Sequence, residues 1–133
     1  SLRLAHDGAA LLVAFRTLDF WATPLSAGET WGVDDGIRFT LAGHAFEAYF
    51  SGNVYAVDAE GRRTPLAGAY NAVDARGGMA RSRIVECRIP FTALGIAPAR
   101  GARIAFSACR WSAHYREARH YAAPGETAEL VLE

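Results

Sequence analysis

The chain has 133 residues, 51% of them hydrophobic, with 14 acidic and 14 basic side chains. That size and apolar fraction fit one domain over residues 1–133 with a single core. The balanced charge gives no electrostatic footprint for nucleic acid or an anionic membrane, no apolar run approaches the roughly 20 residues of a membrane span, and a neutral ligand fits best.

Apolar residues alternate or run in short blocks cut by Gly, Pro, Asn and Asp, which predicts short strands and an all-β fold. In chain order the expected strands are Ala10 to Thr17, Gly36 to Leu41, Ala45 to Ser51, Val54 to Asp58, Tyr70 to Asp74, Arg81 to Ile89, Arg103 to Trp111 and Ala128 to Leu132. Leu2 to Leu4 and Tyr115 to Tyr121 carry weaker strand patterns. Gly43 and the Gly52-Asn53 pair are tight-turn chemistry, so the middle of the chain reads as consecutive antiparallel hairpins. Ile37, Phe39 and Leu41 alternate with Arg38 and Thr40, and Val85, Cys87 and Ile89 alternate with Glu86 and Arg88, as half-buried strands do. Pro90 ends its strand by removing an amide donor, and Phe91 to Leu94 make one helical turn closed by Gly95. The fold class that follows is a two-sheet antiparallel β-sandwich, jelly-roll-like, with one short helical turn.

Two segments carry a family resemblance. RIVECRIPFTALGIAPARGARIAFSACRW, Arg83 to Trp111, and TWGVDDGIRFTLAG, Thr30 to Gly43, together resemble carbohydrate-binding module family 9. In that family an "E…IPf..LG..p..G" segment follows an earlier "W..DD" strand. The resemblance runs from His6 to the final ETAELVLE and implies a non-catalytic domain that binds a mono- or oligosaccharide, outside the cell or in the periplasm. It places a stacking aromatic near Trp31, and the family's "W.P" element falls at about Tyr121, in RHYAAP. Where the family has an acidic residue after its DD pair, this chain has Arg38. A guanidinium offers only donors where a carboxylate offers only acceptors, so hydroxyl recognition cannot be the same.

A sugar ring has apolar C–H faces and an equator of hydroxyls, so its site needs an aromatic platform and a polar rim. Trp21, Trp31, Trp111, Tyr115 and Tyr121 lie in or beside expected loops and strand ends. The expected site is Trp31 stacking with Tyr121 or Trp111, with Asp34, Asp35, Arg38 and Arg110 at the rim. Each has a plainer use. Trp21 reads as a loop plug, Trp111 as core or surface according to which face it takes, and Arg110 as a solvated strand end. Asp34 and Asp35 suit a ligand hydroxyl, a structural calcium shared with Asp7 or Asp19, or turn formation, the last being the commonest. Arg38 suits an acidic ligand or an internal pair with Glu47 or Glu86, the pair being the more economical. Asn53, Asn71 and His120 are further rim candidates, with turn or surface roles as the plainer use, and His44 reads as a hairpin tip.

Competing functions are weaker. A glycoside hydrolase needs two carboxylates about 5 to 10 Å apart across a cleft, for which Glu47, Glu86 and Asp34 are the candidates. No GxSxG, HExxH or P-loop pattern appears. A haem-binding redox module would use Met79, the sole Met, with His114 or His120. A sandwich that binds other domains and has lost its sugar site is the third reading. Cys87 and Cys109 are expected as free, small hydrophobes, a bridge requiring that their strands be neighbours.

Overall fold

The computed structural model describes residues 2–19, 26, 28–75, 81–121 and 128–132, the side chains at 2, 16–19, 70–75 and 81–85 apart. The strands are β1 (Leu2–His6), β2 (Ala10–Asp19), β3 (Gly36–Leu41), β4 (His44–Tyr49), β5 (Val54–Val57), β6 (Arg63–Pro65), β7 (Tyr70–Ala75), β8 (Arg81–Pro90), β9 (Arg103–Ser112), β10 (Glu117–His120) and β11 (Ala128–Val131). One helical turn, α1 (Phe91–Leu94), follows β8. They build two antiparallel sheets, one ordered β1-β2-β8-β7 and the other β10-β9-β3-β4-β5-β6, with β11 also pairing β9.

Period-two alternation gives each sheet an inner face. Leu11, Val13 and Phe15 of β2, with Cys87 and Ile89 of β8, share one buried cluster with Ile37, Phe39, Leu41, Phe46, Ala48, Ile104, Phe106 and Ala108 of the larger sheet. This is the core of an all-β sandwich, and its aromatic centre is Phe39 against Phe46, ring centroids 5.4 Å apart. α1 adds Phe91 and Leu94 to the cluster, and Gly95 closes the turn at φ 64 in the left-handed region. The β3–β4 hairpin turns on Ala42 and Gly43, at φ 51 and 81, a pair of positive values that matches the twist of the flanking strands.

The expected strands all appear, Gly36–Leu41 with both ends as expected and the others with ends shifted by at most two residues. Among the described residues the one strand the pattern did not reveal is β6, whose three-residue Arg-Thr-Pro run is too short to show alternation. It lies at the outer edge of its sheet, where a proline is tolerated. β8 and β9 belong to different sheets, so Cys87 and Cys109 are not cross-strand neighbours, and both are free.

Candidate functional site

The outer face of the larger sheet holds polar residues as deeply buried as the core. Glu47 is 2% exposed and Tyr49 0%, although alternation along β4 points both away from the opposing sheet. Cross-strand register puts Cys109, Arg38, Glu47 and Tyr55 in one outer row, and Trp111, Gly36 and Tyr49 in the next. Gly36 is needed in that second row because a Cβ there would come within 3.1 Å of the Tyr49 ring.

The burial is made by arginines and a loop. Arg38 donates to Glu47 Oε1 through Nε at 3.0 Å and also through Nη2. Glu47 Oε2 accepts the Tyr49 hydroxyl at 2.7 Å and lies 3.9 Å from Arg63 Nη1. The Arg63 guanidinium sits 5.2 Å from the Tyr55 ring centre and 5.8 Å from that of Tyr49. It also donates to the backbone carbonyl of Glu29, fastening the preceding loop to β6. The Glu29 carboxylate accepts from Ser51, from Asn53 Nδ2 at 2.6 Å and from Tyr55, and these bonds hold it below the ordinary carboxylate range.

The same loop presents Trp31. Asp34 accepts from the Ser26 hydroxyl and from the Thr30 amide at 2.9 Å, bonds that lower its pKa. Backbone bonds from Val33 and Asp34 to the Thr30 carbonyl complete a tight turn. Gly28 lies hard against the Asp34 carboxylate, and a Cβ there would sit 2.3 Å from its oxygen. Asp35 is buried and accepts from the amides of Ser26 at 3.0 Å and Ala113 at 3.3 Å. The pair thus serves as loop closure, the plainest of its three sequence readings. On this frame the Trp31 ring lies over Arg38, 4.5 Å from guanidinium carbon to ring centre.

The remaining expected residues are spread more widely. Trp111 is on the outer face, half-buried, and its indole Nε1 is buried with no hydrogen-bond partner among the described residues. Arg110 is not at a solvated strand end. It points to the inner side of β9, is 6% exposed and lies 3.9 Å from Asp35. Tyr121 packs against Phe15 of the opposite sheet, centroids 5.3 Å apart, so it does not face Trp31 as a second wall. Asn53 supports Glu29, while His120 is exposed opposite Cys109 on the outer face. His44 is exposed beside the β3–β4 turn. Trp21 and Met79 lie outside the described residues, as does the Asn71 side chain.

Sequence reasoning missed Glu29, Tyr49, Tyr55 and Arg63. Alternation in His44–Tyr49 would have put Glu47 and Tyr49 on Arg38's face, but Glu29 and Arg63 come from a loop and an edge strand without periodic signal.

Glu47 and Glu86 lie on outer faces of different sheets, so they do not flank one cleft. Among the described residues no three His, Cys, Asp or Glu side chains gather as a metal site. No protein-family model and no curated protein matches the chain. One solved structure does. It is the crystal structure of a Bacteroides uniformis protein described as a candidate carbohydrate-binding protein, 14% identical, with a TM-score of 0.66 over 99% of this chain and 77% of that one. At that identity the likeness is one of fold, and it extends over the whole sandwich.

Proposed function

We propose that this is a non-catalytic carbohydrate-binding β-sandwich of the family 9 type, acting outside the cell or in the periplasm. Its binding surface is the outer face of the larger sheet around Trp31, Arg38 and Trp111. The observation that carries this reading is Trp31, held on a hydrogen-bonded loop and backed by a guanidinium, beside polar groups at the edge of the same face. That combination supplies a platform for a sugar's C–H face and donors for its hydroxyls. The fold shared with a protein described as a candidate carbohydrate binder supports it. A single aromatic platform contributes about 0.5–1.5 kcal/mol beyond area burial, which suits dissociation constants on the order of micromolar to millimolar.

Titration of the protein with a glycan panel, read by tryptophan fluorescence, tests this. A saturable change that disappears in Trp31→Ala is the expected result. Arg38 spends two donors on Glu47, which favours one other reading, a structural or partner-binding sandwich whose sugar site is lost. Silence across the panel selects that reading and returns Trp31 to packing.

A further inference from the structure

The outer face has an imbalance of donors over acceptors. Both oxygens of Glu47 are occupied, one by Arg38 and the other by Tyr49 with Arg63 close by. Both oxygens of Glu29 are occupied as well, by Ser51 and Asn53 on one side and Tyr55 on the other. The guanidiniums are not used up. Arg38 bonds through Nε and Nη2 and Arg63 through Nη1, leaving Arg38 Nη1 and Arg63 Nε and Nη2 without hydrogen bonds to the described residues. Their side chains are 43% and 39% exposed, so these donors reach solvent.

Both guanidiniums approach opposite oxygens of one carboxylate, Arg38 by hydrogen bonds and Arg63 at 3.9 Å, which keeps them close together. Burying that carboxylate costs several kcal/mol of desolvation, offset only by the bonds it makes. Replacing a buried ion pair by packed apolar residues is often neutral or stabilising, so cover alone does not call for Glu47 and Arg38. Glu47 therefore acts as a positioning residue: it draws two guanidiniums together, and although Glu29 and Glu47 balance their charge, the donors that both arginines leave over still face solvent. A flat aromatic over one partly unspent guanidinium, with a second sharing the same carboxylate, matches a ring that carries an oxyanion.

We infer that the ligand of this face is an anionic saccharide, its ring on Trp31 and its carboxylate or sulfate on the outward donors that Arg38 and Arg63 do not spend on Glu47 and Glu29. The inference rests on the carbohydrate reading and narrows it, moving away from the neutral ligand that overall composition favours. The overall balance of 14 acidic and 14 basic residues does not oppose it, because the imbalance is local to one face.

Four probes separate the outcomes: a neutral glucose oligosaccharide, a uronate-containing oligosaccharide, a sulfated oligosaccharide and inorganic phosphate, each titrated into the whole chain at low and high salt. The expected result is uronate or sulfated glycan bound about tenfold or more tighter than the neutral one, the scale of one charge-assisted hydrogen bond. The preference should shrink with salt. Whichever acidic glycan binds tighter identifies the source of the anion. Arg63→Gln, checked for folding by its circular dichroism, should remove most of the preference for acidic over neutral glycans. Equal affinity for neutral and acidic glycans overturns this inference and leaves the carbohydrate reading standing. Phosphate competing as well as the uronate overturns it too, since the face would then read charge without the ring. No binding to any glycan overturns both.

Discussion

Strand β4 buries consecutive residues on opposite faces to the same depth by different means. Phe46 and Ala48 point inward at 1% exposure each, while Glu47 and Tyr49 point outward at 2% and 0%. The inner pair is covered by a second sheet, through contacts whose strength scales with apolar area removed from water. The outer pair is covered by a hydrogen-bonded loop and two guanidiniums, whose worth depends on every polar group being paired. Equal burial therefore conceals unequal dependence. The inner face holds the two sheets together, and the outer face sets the geometry of Trp31, Arg38 and Arg63.

Single substitutions at neighbouring positions sharpen that contrast. Phe46→Ala removes a ring stacked on Phe39 and leaves a cavity between the sheets, at a cost of about 3–5 kcal/mol. Denaturant unfolding should show the loss as a lower midpoint in a single transition. Glu47→Gln keeps the volume but removes the charge that Arg38, Arg63 and Tyr49 share. The two arginines remain partly in solvent and can turn to water, so the cost is smaller, about 1–3 kcal/mol. In the same variant the preference for acidic glycans should fall. Equal losses of stability from both substitutions would mean that the outer network carries the sandwich, and the distinction between the faces would be gone.

The difference between the faces also explains what could be read from sequence. The inner face is written as alternation in Gly36–Leu41 and Arg103–Ser112, so the strands and sandwich were legible from local period alone. The Arg38–Glu47 pair was legible as one of two alternatives, since register follows from that alternation, while Trp31 was legible only through the family resemblance. The rest depended on long-range placement. Arg63 reaches Glu29 across 34 residues, and Glu29 reaches Tyr55 across 26. No periodicity encodes contacts between an irregular loop and an edge strand. Arg110 and Tyr121 lie on the inner side rather than at the outer rim for a related reason. Each lies near a strand end, where one residue of parity separates the outer face from the core.

The smallest expected effect is also the one that separates the faces by pH. Asp34 and Glu29, which close the loop and tie it to the sheet, have pKa values held below the ordinary 3.8 and 4.5 by hydrogen bonds. For Asp34 the Ser26 hydroxyl is the main cause, and for Glu29 it is the Ser51 hydroxyl. A carboxylate with a depressed folded-state pKa contributes its full stabilisation above its unfolded value and loses it as pH falls through the lower folded value. The loop should accordingly stay closed at neutral pH and loosen in acid below those ordinary values, while Phe39 and Phe46 carry nothing that titrates. In a protein with Trp21→Phe and Trp111→Phe, Trp31 fluorescence reports the loop and far-ultraviolet circular dichroism reports the sheets. Acidification should move the fluorescence first and the dichroism later. Coincident midpoints would show that the loop and the sandwich unfold as one unit, with the outer cover as inseparable from the fold as the inner core.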